Sequence, residues 1–306
     1  MKRFIVLGIS VFLSFSIIVP SSVLPASAAV ATSGQALIDQ KADAIVNTAT
    51  SLIGKATYQR YVYKPTYPYQ FGCSGFIYYV FLQNGINLDT RDTQLQAQLG
   101  EYVTKDQLKK GDLVFFDSSP NDAYPVTHDG IYIGDNKIIH MADSSNNVEI
   151  SDLNGKAYYR DYYKMARRVI PSYMPPVNPT KADAIAGTAN SLIGKVRTGS
   201  SYNESTLTFN SPGFAYYAYK LNGIDLKAKT VSEQVKLGTY VPKDQLKKGD
   251  LVFFSNSGSA GKAALVGIYN GNYQVIYNAG SSLGVINAFI LTSFYQSNYV
   301  TARRIL

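Results

Sequence analysis

The sequence predicts an α+β protein made of two similar globular domains in tandem, and three observations carry that prediction. First, the 306-residue chain contains itself twice: Lys41-Ala42-Asp43-Ala44-Ile45 returns as Lys181-Ala182-Asp183-Ala184-Ile185, and residues 105–116 recur letter for letter as 243–254. Both copies close on a doubled arginine, Arg167-Arg168 and Arg303-Arg304. Solenoid repeats run roughly 20–50 residues, so a period of about 138 suits whole domains. Second, prolines at 171, 175, 176 and 179 mark residues 171–180 as an extended spacer, of roughly 3.1 Å per residue. The domains are therefore expected to sit apart or side by side without sharing a core. Third, in each copy helical patterns come first and short strands follow, the order of helices packed on an antiparallel sheet.

The elements of the first copy, residues 38–170, follow from local pattern. Residues 40–53 read as an amphipathic helix ended by Gly54. Residues 74–84 form a second helix, apolar on nearly every side through Phe76, Ile77, Val80, Phe81 and Leu82, hence buried and stopped by Gly85. Strands are expected at 112–116, 130–133 and 137–142, with Asp135-Asn136 as the hairpin turn between the last two. The second copy, residues 181–306, repeats the plan.

Ahead of both copies, Lys2 and Arg3 precede an apolar run over residues 4–19, and Ala26-Ser27-Ala28 supplies a small-residue cleavage pattern. Residues 1–28 are thus expected to be a signal peptide. The run stops at Pro20, short of the about 20 apolar residues of a membrane span. The mature protein is expected to be secreted, extracellular or wall-associated, with no stable membrane insertion. Net charge is +8, or +6 without Lys2 and Arg3, which suits an anionic wall surface. No dense run of Lys and Arg argues for nucleic acid.

The chemistry concentrates in copy one. Cys73 is the one cysteine of the chain, and His128 and His140 are its two histidines. Disulfides need pairs, so an unpaired thiol in a secreted protein invites a functional reading. Cys73 stands at a helix entrance between Gly72 and Ser74-Gly75, where partial positive charge is expected to lower its pKa and its own amide can meet an oxyanion. A thiol nucleophile needs an imidazole base, and the base needs an orienter; His128 and His140, on neighbouring strands, can supply both. A plain two-residue turn at Asp135-Asn136 would put them on opposite faces, so a bulge or odd-length loop must intervene. Copy two is an internal control: Cys73, His128 and His140 become Ser211, Leu265 and Tyr277, while Gly75-Phe76 and Gly130-Ile131-Tyr132 persist as Gly213-Phe214 and Gly267-Ile268-Tyr269. The three change together, as a chemical unit would. Pro212 is expected to disturb the second copy's helix entrance. Tyr216, Tyr217 and Tyr219 read as core filler on that helix before a binding face.

These residues resemble the NlpC/p60-type cysteine peptidases, papain-like enzymes that cleave the stem peptides of bacterial cell walls. Cys73-Ser74-Gly75-Phe76 is similar to the nucleophile motif and Thr127-His128-Asp129-Gly130-Ile131-Tyr132 to the base motif. His140 falls at the third polar position, and Tyr58 where the family places a hydroxyl lining the site; copy two has Thr198 there. The resemblance implies two tandem papain-like domains, the second degenerate. It also implies hydrolysis of an amide bond after γ-D-glutamate, with Ser74 and Tyr58 lining the substrate or oxyanion and no cofactor or metal. A poly-γ-glutamate hydrolase and a non-catalytic wall-binding protein are the alternatives. Two departures stand out: Gly72 where the family usually has Asp, which touches specificity, and Asp129 where a small or apolar residue is common.

Overall fold

The computed structural model describes residues 26–119, 125–176, 178–200 and 202–306. The expected signal peptide lies outside the described residues, apart from its last three positions, which open the first helix. Copy one runs α1 (Ala26–Thr50), β1 (Ala56–Tyr58), β2 (Tyr63–Lys64), β3 (Tyr69–Phe71), α2 (Cys73–Gln83), α3 (Thr93–Gln96), β4 (Glu101–Val103), β5 (Leu113–Phe116), β6 (His128–Gly134), β7 (Lys137–Met141), β8 (Val148–Asp152), α4 (Ala157–Asp161) and β9 (Tyr163–Arg168). After α5 (Ile170–Tyr173), copy two runs α6 (Lys181–Ser191), β10 (Arg197–Thr198), β11 (Thr208–Phe209), α7 (Ser211–Leu221), α8 (Val231–Gln234), β12 (Thr239–Tyr240), β13 (Leu251–Phe254), β14 (Leu265–Gly271), β15 (Gln274–Asn278), β16 (Val285–Phe289), α9 (Ser293–Asn298) and β17 (Tyr299–Arg304).

Each copy holds one six-stranded antiparallel sheet, in the order β4-β9-β5-β6-β7-β8 and β12-β17-β13-β14-β15-β16. The α+β expectation holds in both. In copy one α2 lies on β6 and β7 and its Phe76, Ile77, Val80 and Phe81 are sealed from solvent. Burying each such side chain contributes roughly 1.5–3 kcal/mol, so this helix is fixed in depth and its first residue is fixed with it. Between α1 and α2 a small three-stranded sheet, β1-β3-β2, includes a parallel pair, β1 with β3; the sequence reading did not contain it.

The repeated letters hold scaffold. Asp112, in the stretch that recurs exactly once, takes both forks of the Arg168 guanidinium at 3.0 and 2.8 Å and the Lys109 amide at 2.8 Å. Asp250 does the same with Arg304, at 2.8 and 2.6 Å, and with the Lys247 amide. Bidentate pairing of this kind joins the end of each copy to the start of its central strand. Lys41 and Lys181 each donate to the carbonyl of the residue capping the core helix, Asn84 at 2.8 Å and Asn222 at 3.0 Å, where a cation is favoured by the helix dipole.

Three expectations need correction. The first helix begins at Ala26 rather than near residue 40, because alanines with Gln35 and Leu37 fill half of the intervening positions and the lone Gly34 does not break the run. Residues 171–180 are not wholly an extended spacer: Pro171 sits in the first turn of α5, where a missing N–H costs nothing. The copies also touch more closely than a spacer implies. Phe289 of copy two joins the buried cluster of copy one, with Tyr273 and Leu291 packed against it, and Asn272 donates to the Ser172 carbonyl at 3.1 Å. Among the described residues no helix is long and apolar enough to cross a membrane.

Candidate active site

Cys73 is the first residue of α2, which Gly72 enters with extended backbone and no side-chain cap. The absence of a cap leaves the first-turn amides free of side-chain competition. Ser74 does not turn its hydroxyl on the thiol; it donates to the Arg91 carbonyl at 2.7 Å, and its own carbonyl accepts from Gln96 at 3.0 Å. Ser74 thereby ties the helix start to α3 and the loop before it, and Thr93, the first residue of α3, reaches Cys73 Sγ at 3.9 Å.

His128 opens β6 and His140 lies on β7. The hairpin between them carries the required irregularity: Ile131 faces Ile139 and Tyr132 faces Ile138, but Gly134 faces Lys137, so one extra residue is accommodated on β6 near Ile133. That bulge flips the alternation and puts the two histidines on one face. His140 then stands opposite Gly130, where an added Cβ would meet the His140 Cβ at 3.2 Å. With no side chain intervening, His128 leans across so that its Nε2 lies 2.9 Å from His140 Nδ1. Phe116, Tyr158 and Tyr159 pack around the rings.

The chain of hydrogen bonds continues beyond the pair. His140 Nε2 lies 3.1 Å from Ser151 Oγ, which donates to Glu149 at 2.8 Å and accepts from Lys156 at 3.0 Å. One proton assignment satisfies every atom: His128 donates from Nε2 to His140, His140 donates from Nε2 to Ser151, and Ser151 donates to the carboxylate. His128 Nδ1 is then the ring nitrogen left, unprotonated, for the thiol. Burial pushes the His128 pKa down to about 4 and that of His140 down as well, so both rings are neutral at pH 7 as the assignment requires. Ser151, Glu149 and Lys156 carry no sequence signal as site residues, because Ser151 and Glu149 sit on a strand two removed from His128.

The thiol departs from expectation. Burial, reinforced by the Asp129 carboxyl beside it, pushes the Cys73 pKa up to about 12; the Thr93 hydroxyl and the Ser74 amide pull the other way and do not prevail. The lowered pKa expected at a helix start is therefore not realised. Desolvation of the thiol and of the ring both favour thiol beside neutral imidazole over thiolate beside imidazolium. Asp129 is fully buried, neither of its oxygens has a partner in full hydrogen-bond geometry among the described residues, and burial raises its pKa to about 7 against the weaker pull of the nearby Cys73 thiol and Thr93 hydroxyl. One Asp129 oxygen, a His128 ring nitrogen and Cys73 Sγ all lie within 4.8 Å of one another. The sequence marked Asp129 as unusual without revealing that it faces the thiol.

Tyr58 ends β1, its backbone amide held by Asn147 at 2.8 Å. Burial raises the pKa of its phenol, with the Cys73 charge the next cause. In copy two α7 starts without disturbance. Pro212 occupies the first turn, and Asn210 caps the helix by accepting from the Gly213 amide, so the expected disruption does not occur. Tyr216 and Tyr219 are buried in the second core, as filler.

The NlpC/P60 family model matches residues 58–168 and again 197–304, one match for each copy. The chain belongs to the NlpC/P60 family. Among curated relatives, a gamma-DL-glutamyl hydrolase of Bacillus subtilis is 31% identical over 87% of this chain and 61% of its own length. A gamma-D-glutamyl-L-lysine dipeptidyl-peptidase of Bacillus cereus is 35% identical over 42% of this chain and 37% of its own. The murein DD-endopeptidase MepS/murein LD-carboxypeptidase of Escherichia coli is 38% identical over 32% and 49%. The chain thus spans less than two thirds of the length of each. Among solved structures, an NLP/P60 family protein similar to lipoprotein from Staphylococcus aureus is 32% identical over 43% of this chain and 42% of that one, with a TM-score of 0.38.

Proposed function

We propose that this protein is a secreted cysteine peptidase that hydrolyses γ-glutamyl amide bonds in peptidoglycan stem peptides, after γ-D-glutamate. The observation that carries the reading is the hydrogen-bonded line from His128 through His140 to Ser151 and Glu149, with Cys73 Sγ within 4.8 Å of a His128 ring nitrogen. In the proposed reaction His128 Nδ1 takes the thiol proton as sulfur attacks the carbonyl carbon, since a thiol with so high a pKa ionises only in concert with attack. The Cys73 amide, at an uncapped helix start, faces the developing oxyanion. Positive charge forming on His128 is spread through the His140 and Ser151 hydrogen bonds toward Glu149. His128 then returns the proton to the leaving amine, and water attacks the thioester by the same steps in reverse. Tyr58 borders the cleft, and Ser74 holds its floor through the Arg91 carbonyl.

The remaining organisation is proposed with it: a signal peptide over 1–28, a catalytic domain over 38–170, a linker over 171–180 and an inactive domain over 181–306, acting on an anionic wall surface. A second substrate, poly-γ-glutamate, is favoured by one observation: the relative matching across both copies is named a gamma-DL-glutamyl hydrolase. Both polymers carry γ-linked glutamate, so one site chemistry serves either. The test is mass spectrometry of fragments released from purified sacculi and, separately, from poly-γ-glutamate. Release of peptides ending in γ-D-glutamate is expected from sacculi. Cleavage of the polymer alone would transfer the assignment to the second substrate, and fragments from neither would end both.

A further inference from the structure

Three side chains at the start of α2 and β6 offer sulfur, nitrogen and oxygen to a common point. We propose that Cys73, His128 and Asp129 form a site for a thiophilic divalent cation, zinc above all, whose binding holds the thiol and switches the enzyme off. The three donor atoms already lie within 4.8 Å of one another. Around a tetrahedral zinc, with bonds of roughly 2.0–2.3 Å, donors stand about 3.3–3.8 Å apart, so side-chain rotations closing about 1 Å complete the geometry.

The second observation is Asp129 itself. It is 0% exposed, and neither carboxyl oxygen has a partner in full hydrogen-bond geometry among the described residues, the Cys73 thiol and the Thr93 hydroxyl being its near neighbours. A buried carboxyl without a partner is costly, and a cation between it and the thiol would satisfy it. The His128 ring is prepared for the same role. Its Nε2 is engaged by His140, which is held in turn by Ser151; that outer support orients a ligating imidazole and leaves Nδ1 free. A soft sulfur with one imidazole and one carboxylate selects zinc over magnesium or calcium, which prefer all-oxygen sites. Cys73 keeps part of its residue surface exposed although its surroundings desolvate the thiol, so a water can reach the fourth position from that side. On binding, the thiol releases its proton to solvent and the metal takes its place, with no change in oxidation state. Copy two cannot do this, having Ser211, Leu265 and Val266 at the matching places, so each chain offers one such site.

The inference does not depend on which polymer is cleaved, and its test does not read hydrolysis. The full chain is titrated with cobalt(II) alone, then with zinc(II) alone, and Cys73 alkylation by iodoacetamide is followed. One cobalt per chain is expected, with a thiolate-to-cobalt charge-transfer band that zinc abolishes, and zinc is expected to protect Cys73 from alkylation. Asp129→Val, which installs the residue of copy two, should weaken zinc at least tenfold while metal-free Cys73 remains alkylated; the isosteric Asp129→Asn should weaken it similarly. Absence of the charge-transfer band, or wild-type zinc affinity in both Asp129 variants, would overturn the proposal.

Discussion

At the start of its core helix copy one sets a thiol and copy two a hydroxyl, and their surroundings treat them in opposite ways. Among the described residues Cys73 Sγ has one long side-chain contact, to Thr93, beside Asp129 and His128. Ser211 Oγ is stapled to β14: it donates to the Val266 carbonyl at 2.9 Å and accepts from the Val266 amide at 2.8 Å. Every station of the relay changes with it. His128, His140, Ser151 and Glu149 correspond, strand position by strand position, to Leu265, Tyr277, Ala288 and Ile286, and Tyr277 bonds Tyr295 at 2.9 Å. A cavity of about 410 Å³ remains beside Ser211, lined by Thr198, Leu265 and Asn278. The scaffold does not change: the Asp112–Arg168 and Asp250–Arg304 pairs are the same device twice. The difference teaches that the fold stands without the site. The polar column of copy one is set into a sheet whose strand order is kept when the same positions hold Leu265, Tyr277, Ala288 and Ile286.

The largest effect should come from the nucleophiles. Cys73→Ala should lower hydrolysis by on the order of 10⁴-fold or more, whereas Ser211→Ala should leave it unchanged and cost about 1 kcal/mol in thermal unfolding through the lost staple. Ser211→Cys should gain no hydrolysis, because Leu265 gives the new thiol no base. Activity from Ser211→Cys in a Cys73→Ala background would break the comparison.

Next come the relay positions. His128→Ala should fall nearly as far in kcat/KM as loss of the thiol, His140→Ala less far, and His140→Asn less again, since the His128 N–H needs only an acceptor. Ser151→Ala should be milder than His140→Ala, because it leaves the two rings in contact. Equal losses at 128 and 140 would show that His140 does more than orient.

The smallest effect lies where the copies meet. Asp89 accepts from Gln274 of copy two, and burial raises its pKa to about 6; copy two has Lys227 at this place, and both have positive φ. A folded pKa above the unfolded value means the folded state holds the proton more tightly. The stability Asp89 contributes is therefore full below about pH 4 and is lost as pH rises through about 6. Asp89→Asn should flatten that fall, by under about 1 kcal/mol after solvent screening, as read from Tm between pH 4 and 7. An unchanged slope would remove Asp89 from the junction's energetics.

Much of this protein was legible in its sequence. The repeat, the buried helix behind Cys73 and the strands around both histidines follow from local signals: identity of letters, a run of apolar residues, glycines that end helices. Cys73, His128 and His140 were found because copy two lost them together. Other features depended on partners distant in the chain. One bulged residue near Ile133 decides that the histidines share a face, since strand side chains alternate with period two. Register alone brings Ser151 and Glu149 under His140. Desolvation, a property of the packed interior and not of any segment, raises the thiol's pKa against the pull of its helix and buries Asp129 beside it. The sequence determined which groups are present and in which elements. The tertiary structure decided which of them meet, and in what protonation state, because register and burial arise only once the sheet and its covering helix come together.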